Sequence, residues 1–426
     1  MKYWRRRSFI TALGAAALTL TACGGRAADD ENGGAGGQVT LTLMRTGTPE
    51  ILRPIFEPMI AEFEEANPGI KVDMQDLGWN DATASMGVMA SSGTLPDLMY
   101  HLPSDVFDLA SKGLVTDLTD KLSPELKDDI FPALLQAGQY EGRQYLVPCS
   151  VSPLFLWYNT ELFEKAGLDP DNPPNTWDEL LVAGRQIAEK TDASGVAMYS
   201  KPAAGETSGL YESLFAGAIG GSAWDPNSQR YLYDDPKYDA EALQTLEFMR
   251  GLVDISQPNV VEYGRFDTRT LFRDGHAGMA IDLIYMQNQI GDGLKDGTFR
   301  VAELPAPTGR TSISTINVGG WFIPTNSAHP EEALKLLEFF METENQIKHT
   351  TYGSAPILKS EAATYEGELW EVATAALEHG VAEGISLQTG ALWTVNGEEL
   401  QRLLTAQRSP EEVLRAIRER HQEIYE

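Results

Sequence analysis

Between residues 39 and 101, the pattern of hydrophobic and polar positions alternates between the two-residue period of a strand and the 3.6-residue period of a helix. The predicted strands are Val39–Leu43, Ile70–Met74 and Asp97–His101, and the predicted helices are Pro49–Ala66 and 82–92. The stretch Asn67-Pro68-Gly69 ends the first of these helices. A β-α-β-α-β order predicts a parallel sheet with helices on its faces, and such sheets bind ligands beyond the carboxyl ends of their strands.

Later helices are marked by capping signals in front of apolar residues at helical spacing. These signals are a capping box at Thr176–Glu179, a proline start at Pro330, a box with proline at Ser409–Glu412, and a short helix, Asn159–Ala166, closed by Gly167. Residues 39–105 and 277–325 are strand-rich, whereas helices dominate the rest of the second half. This distribution predicts an α/β protein of two lobes built from discontinuous pieces.

The first 38 residues predict export and anchoring. Residues 1–22 combine a basic start with an apolar stretch that is too short for a membrane span of about 20 residues, which is typical of a signal peptide. Leu20-Thr21-Ala22-Cys23 resembles a lipobox, so Cys23 is expected to carry lipid, and residues 23–38 are a Gly-rich tether. Arg6-Arg7 resembles the twin-arginine export pattern, but a general secretory signal remains open.

Charge and motif content argue against several functions. With 33 basic and 62 acidic residues, the chain has a formal charge of −29, which argues against nucleic acid as a partner. Two cysteines and six well-separated histidines predict neither a disulfide framework nor a metal site. Phosphate-loop, dinucleotide, zinc-protease and serine-elbow motifs are absent, and no single carboxylate pair stands out. We therefore expect no cofactor, no catalytic residue and a binding function.

Tryptophan is the positive signal for a ligand. The flat aromatic face suits the apolar face of a sugar ring. Trp177 and Trp370 fall on predicted helices and are expected in the core. For the tryptophans near strand ends and loops, ligand stacking and core packing both remain open.

Several motifs in order resemble the extracellular solute-binding proteins of ABC importers, in the sugar-binding family that includes maltose-binding-type proteins. The resemblance covers nearly all of residues 39–426. Its motifs are Leu146-Val147-Pro148, YNTELFEKAGL at Tyr158–Leu168, PPNTWDEL at Pro173–Leu180, FRDGHAGMA at Phe272–Ala280 (with Gly278 where Ala is usual), Gly319-Gly320-Trp321 followed by Ser327–Phe340, and Gly353–Pro356.

This resemblance implies a two-lobed periplasmic-binding-protein fold, each lobe a mixed sheet flanked by helices, with ligand held in the cleft between them. The implied lobes are residues 39–148 plus 280–325 and residues 149–279 plus 326–426, joined by hinge crossings near 148–154, 276–283 and 322–328. Closure on a carbohydrate would present the lobes to the transmembrane subunits of a permease. A monomer tethered to the outer face of the membrane through Cys23 is expected.

Ligand contacts in such a fold are expected from strand ends and crossings. A carboxylate beside an aromatic ring suits a neutral polyol, since ionised Asp or Glu accepts hydrogen bonds from hydroxyls. For Asp282, capping of the following helix is an equal alternative. The candidate residues are Glu50, Trp79, Asn80, Asp97, His101, Trp157, Trp224, Asp282, Tyr285, Gly320, Trp321, Tyr352 and Trp393.

Three readings of the cargo and role remain open on the sequence. The leading one is a mono- or oligosaccharide receptor. A second keeps the importer role but changes the solute to a polyol, a glycerol phosphate, a peptide or a polyamine; Arg45 alone is thin support for an anion. A third is a secreted carbohydrate-active enzyme on a similar scaffold.

Overall fold

A curled mixed sheet connects the two halves of this protein in a computed structural model, which describes residues 38–201, 205–225, 228–350 and 353–426. Residues Gln38–Glu426 form one compact unit. The strands are β1 Val39–Thr46, β2 Ile70–Leu77, β3 Leu98–His101, β4 Gln139–Tyr140, β5 Arg143–Gln144, β6 Val147–Asn159, β7 Ser194–Ala197, β8 Trp224–Asp225, β9 Arg230–Tyr231, β10 Ala277–Leu283, β11 Phe299–Glu303, β12 Thr315–Phe322 and β13 Val381–Ala382.

Helices cover both faces of this sheet. They are α1 Pro49–Ala66, α2 Ala82–Ser92, α3 Pro103–Ser111, α4 Pro124–Asp129, α5 Pro132–Ala137, α6 Thr160–Ala166, α7 Trp177–Lys190, α8 Glu206–Ile219, α9 Asp239–Val253, α10 Arg265–Arg273, α11 Gln287–Ile290, α12 Asp292–Lys295, α13 Pro330–Phe340, α14 Thr343–Thr350, α15 Lys359–Ala362, α16 Glu368–His379, α17 Thr389–Leu404 and α18 Pro410–Tyr425. The predicted helices at Pro49–Ala66 and 82–92 are confirmed, as are both capping boxes.

Within the described residues, the sheet has nine strands in the order β2-β1-β3-β12-β6-β10-β7, with β11 added to β6 and β13 added to β12. Strands β1, β2 and β3 pair in parallel, as the β-α-β-α-β pattern predicted. Strands β6 and β12 run antiparallel through the middle of the sheet. The carboxyl ends of β2 and β3 therefore lie at the same end of the sheet, and β3 adjoins the central antiparallel pair.

Two hydrophobic cores pack against this sheet. The first core contains residues of β1, β3 and α1, such as Leu43 and Phe56, and the second contains residues of α7, α8 and α9, such as Leu214. Strand β6 contributes to both, since Trp157 belongs to the first core and its neighbour Leu156 to the second. The shared strand therefore connects the two cores.

The packing of the last third of the chain differs in part from the predicted lobe boundaries. Residues 326–426 were assigned to the second lobe, but α13 packs beside α1 and β12 in the first core, through residues such as Leu337. Phe340 on α13 stacks on Trp321 of β12 at 5.2 Å, which fixes this helix to the first core. Only α17 and α18, after residue 383, return to the second core, where Leu392 and Ile417 are buried.

The third crossing also lies earlier than predicted. Residues 322–328 are not a crossing, because the backbone carbonyl of Ile323 accepts from Thr116 N and Thr325 N donates to Leu114, both within the first lobe. Strand β12 crosses instead between Thr315, whose side chain hydrogen-bonds Ser213 of α8, and Trp321 in the first core. The crossing strand is therefore paired on both sides within the sheet.

Candidate ligand site at the crossing strands

An exposed tryptophan follows the carboxyl end of β2. Trp79 is 47% exposed and its ring stacks on His101, which ends β3, at 5.6 Å and 29°. His101 is 2% exposed, and its Nε2 atom lies 2.8 Å from Asp105 Oδ2 on α3. One face of the Trp79 ring therefore packs on His101, and the other face is open. Glu50 is exposed in the first turn of α1, directly after β1.

Hydroxyl groups lie where the crossing strands meet the first core. Ser150 Oγ on β6 is 3.3 Å from Tyr285 Oη, and Tyr285 is partly exposed just after β10. Tyr100 Oη on β3 packs directly against Gly319 of β12, so closely that a Cβ at position 319 would overlap it. Glycine at 319 is what lets this tyrosine reach the crossing. These three hydroxyls place polar atoms at the hinge.

A buried arginine supports Tyr100. The Arg45 guanidinium carbon lies 3.2 Å from the centre of the Tyr100 ring, and Nη2 is 3.2 Å from His349 Nε2. Burial and the charge of Arg45 lower the pKa of His349 to about 3, so His349 is neutral and accepts from Arg45. Within the described ranges, no carboxylate pairs with Arg45. Its positive charge is stabilised instead by neighbouring aromatic rings and by a backbone carbonyl oxygen.

Two glutamates lie on the second-lobe side of β12. Asn317 Nδ2 donates to Glu383 Oε2 at 2.9 Å, and Glu383 follows β13, which pairs with β12. Burial raises the pKa of Glu383 to about 7, against the opposing effects of Asn317 and Arg265. Burial, and then the nearby charge of Glu383, raises the pKa of Glu212 well above its ordinary value. An ionised carboxylate on either glutamate therefore disfavours ionisation of the other.

An aromatic wall adjoins these glutamates. Trp393 Nε1 donates to Tyr231 Oη at 3.0 Å, and Tyr231 Oη donates to Glu212 Oε2 at 3.2 Å. The buried Trp224 packs edge-on to Tyr231 at 5.0 Å. Glycine permits this packing, since a Cβ at Gly384 would come 2.9 Å from the Tyr231 ring. Trp393 remains partly exposed and fixed by its hydrogen bond.

A buried ion cluster closes the same side of the site. Asp282 accepts from Arg269 at 2.8 and 2.9 Å and from Arg265 at 3.2 Å. Burial alone would raise the pKa of Asp282, but the two arginines outweigh it and lower the pKa. Arg265 also lies 3.8 Å from Glu206 at the start of α8. Asp282 is thus fully engaged, and its oxygens also accept from the adjacent Leu283 N.

The structure brings part of the predicted set together. Trp79, His101 and Tyr285 line the first-lobe side of the crossing, and Trp393 with Trp224 lies on the second-lobe side. Glu50 and Asn80 follow the expected strand ends in sequence. Tyr352 and Cys23 lie outside the described residues.

Five other candidate residues are buried or have partners within the fold. Trp157 is 0% exposed and Trp321 1% exposed, so both belong to the core. Asp97 accepts from Thr42 N and Ser327 Oγ at the opposite end of β3, and it ties strands together. Gly320 packs against Leu146 at a register shift between β12 and β6. Asp282 is committed to arginines, as described above.

Several residues of the site were not predicted from the sequence. Glu383 stands in a stretch without a motif, and Asn317, Glu212 and Tyr231 become neighbours only through the long crossover from α8 to β13. In the described part of the chain, no group of His, Cys, Asp or Glu is arranged to hold a metal ion. No helix there is long and apolar enough to cross a membrane. Burial raises the pKa of Cys149 to about 12, so this thiol is inert.

Two cores joined by crossing strands, with polar and aromatic side chains where they meet, form the architecture of a two-lobed solute receptor. A family model described as bacterial extracellular solute-binding protein matches residues 49–347. The chain belongs to this bacterial extracellular solute-binding protein family. It is the solute-binding component of an ABC importer and acts outside the cytoplasm; the family consists of binding proteins rather than enzymes.

Comparisons with individual proteins agree with this assignment. A binding protein of Brucella abortus is 28% identical over 315 residues, covering 72% of this chain and 74% of that protein. The sn-glycerol-3-phosphate-binding periplasmic protein of Rhizobium meliloti is 25% identical over 321 residues, covering 71% and 72%. The structure of an ABC transporter solute-binding protein of Thermotoga lettingae, bound with alpha-D-tagatose, has a TM-score of 0.79 and 26% identity, covering 91% of this chain and 100% of that one.

Proposed function

We propose that this protein captures a carbohydrate, a mono- or oligosaccharide, at the crossing site and delivers it to the transmembrane subunits of an ABC permease. The observation that carries this proposal is the supported, half-exposed face of Trp79 on one side of the crossing. The partly exposed Trp393 and the Glu383 carboxylate on the other side add a second aromatic surface and a hydroxyl acceptor. The sugar bound by the Thermotoga lettingae relative supports the same class of ligand.

A glycerol phosphate is the second candidate, favoured by the relative from Rhizobium meliloti. Arg45 is the cation that it would need, but this side chain is 3% exposed and is held against the Tyr100 ring. A polyamine would use the carboxylates of the crossing site beside aromatic rings. Turnover of the carbohydrate is not part of the proposed role.

Anchoring completes the proposal. Lipid on Cys23 would hold a monomeric receptor at the outer face of the membrane, with residues 23–38 as tether. Export by the twin-arginine route, through Arg6-Arg7, is part of this hypothesis. Metabolic labelling with a fatty acid, comparing the parent with Cys23→Ala, tests the anchor, because only the parent should retain the label.

The cargo is tested by thermal unfolding of the purified full-length protein against sugars, polyols, polyamines and glycerol 3-phosphate. A ligand that binds only the folded state at about 100 times its Kd adds roughly 2.7 kcal/mol to stability and raises Tm. We expect the upward shift with one class of sugar and recovery of that sugar unchanged. A shift with glycerol 3-phosphate alone would replace the carbohydrate by the second candidate, and a chemically altered sugar would contradict a pure receptor.

A further inference from the structure

Glu383 has one carboxylate oxygen that the fold does not use. Its Oε2 atom accepts from Asn317 Nδ2 at 2.9 Å. No other hydrogen bond reaches the Glu383 carboxylate from the described residues, so Oε1 is available as an acceptor. Oε1 lies 3.4 Å from where a Cβ on Gly209 of α8 would stand, and the side chain is partly exposed. A glycine on the facing helix leaves room beside this oxygen.

The charged groups around Glu383 are already engaged with one another. Glu212 on α8 accepts from Tyr231 Oη and Gly384 N, which occupies both of its oxygens. Arg265 on α10 hydrogen-bonds Asp282 and stands near Glu206. Asn317 on β12 is neutral. Glu383 is therefore the carboxylate of this group that keeps an unused acceptor, and its nearest cation is committed elsewhere.

We propose that Glu383 determines specificity by accepting hydrogen bonds from hydroxyls of a neutral sugar in its ionised form, so that capture of the sugar releases a proton. Asn317 acts as a positioning residue that holds the carboxylate. This inference rests on the proposed function, since it requires a carbohydrate at the crossing site. It adds a coupling between capture and pH that a simple aromatic cleft does not have.

The sign of the coupling follows from the protonation states. The pKa of Glu383 in the free protein is raised to about 7, so the carboxyl is largely protonated at pH 5.5. A sugar that prefers the carboxylate lowers this pKa on binding, and one proton leaves as the complex forms. Affinity then rises up to about tenfold per pH unit below pH 7 and levels off above it. An anionic ligand would show the opposite trend, because ionised Glu383 repels it.

The test uses tagatose, maltose and diacetylchitobiose as probes with the full-length protein. Isothermal titration calorimetry at pH 5.5, 6.5, 7.5 and 8.5, in two buffers of different ionisation enthalpy, gives both Kd and the number of protons released. We expect at least one probe to bind about tenfold or more tightly at pH 7.5 than at pH 5.5, with proton release. Glu383→Gln should bind weakly and without pH dependence, whereas Glu378→Gln, an exposed carboxylate on α16, should behave as the parent.

A second variant separates this role from a structural one. Asn317→Ala removes a hydrogen bond that lowers the pKa of Glu383, so the midpoint of the affinity profile should move to higher pH. Sugar binding that is independent of pH would overturn the role of Glu383 and leave the proposed function standing. Failure of all three probes at pH 8.5, where Glu383 is ionised, would overturn both. Binding of glycerol 3-phosphate that tightens as pH falls would do the same.

Discussion

Two tryptophans of the first lobe show how strand position decides the role of an aromatic side chain. Trp79 follows the carboxyl end of β2, where the chain leaves the sheet, and its outer face stays open above His101. Trp321 lies inside β12, opposite Tyr100 of β3, and is enclosed by Phe340 and Phe56. Both were candidates for ligand stacking, with core packing as the open alternative. Only Trp79 offers a free ring face, so binding and stability should separate between the two.

Truncation of Trp79 should weaken binding with little effect on folding. Trp79→Ala removes the stacking face, and we expect a loss of about 2 kcal/mol in sugar binding, roughly 30-fold in Kd. The free energy of unfolding should fall by about 1 kcal/mol or less, since half of the ring is already in water. Calorimetric titration with the sugar identified by thermal shift, together with urea unfolding, measures both quantities.

Variants at Trp321 and Trp370 are the controls for Trp79→Ala. Trp321→Ala should reduce the free energy of unfolding by about 3–5 kcal/mol through the cavity left in the first core. Trp370→Ala alters a partly buried tryptophan on α16, stacked on Tyr365 at 4.1 Å, and should leave sugar affinity unchanged. Unaltered affinity in Trp79→Ala would remove this residue from the binding site.

At the scale of elements, β12 is the strand that joins the two lobes, and two of its positions are glycine where neighbouring residues approach the strand closely. Gly319 and Gly320 lie at a register shift against β6. The first glycine lets Tyr100 Oη reach the crossing, and the second lets Leu146 pack against the strand. Side chains at either position would push β12 away from its neighbours. Both the stability of the sheet and the geometry of the site depend on them.

Gly319→Ala tests this dependence. The added Cβ overlaps Tyr100 Oη, so Tyr100 must move off its place above Arg45, at a cost of about 1–3 kcal/mol in the free energy of unfolding. Sugar affinity should fall as well, because the hinge hydroxyls shift. Gly87→Ala in the interior of α2, where no atom lies within 4 Å of the new Cβ, should instead stabilise the protein by roughly 0.5–1 kcal/mol. Equal effects of the two changes, measured by urea unfolding, would rule out the steric account.

The elements were predictable where the signal is local. Helix α7 begins at Trp177 because the Thr176 hydroxyl and the Glu179 carboxylate cap its first turn, and four residues suffice to recognise this. Helix α13 was placed correctly as a helix but in the wrong lobe, because its packing on Trp321 is a contact between distant segments. Glu383 was missed for the same reason. Its partner Asn317 lies 66 positions away, and no spacing rule links them.

The described part of the molecule contains two sets of buried or half-buried carboxyl groups with opposite responses to pH. Asp282, with its arginines, and Asp97, with its hydrogen bonds, have lowered pKa values despite burial. Burial instead raises the pKa of Glu212, Glu361 and Glu383. The formal charge of −29 adds repulsion that grows as carboxyl groups ionise. The ligand site and the net charge thus both favour folding at mildly acidic pH.

The free protein should therefore be most stable at about pH 4–5. A carboxyl group with a raised pKa favours folding only while it is protonated, so stability falls as pH rises from about 5 through the pKa of Glu383 near 7. A carboxyl group with a lowered pKa, such as Asp282, stabilises the fold above the unfolded value of about 3.9 and loses that contribution as pH falls further. Calorimetric Tm values between pH 3 and pH 9 should show a maximum between these limits.

Two variants separate the two sides of this profile. Glu383→Gln should flatten the decline of Tm on the alkaline side. Asp282→Asn leaves Arg265 and Arg269 without their carboxylate, so it should lower the free energy of unfolding by about 3–5 kcal/mol and weaken the decline below pH 4. A Tm that rises steadily from pH 6 to pH 8 without ligand would show that Glu383 is not held protonated in the free protein. Sugar binding would then have no proton to release from Glu383.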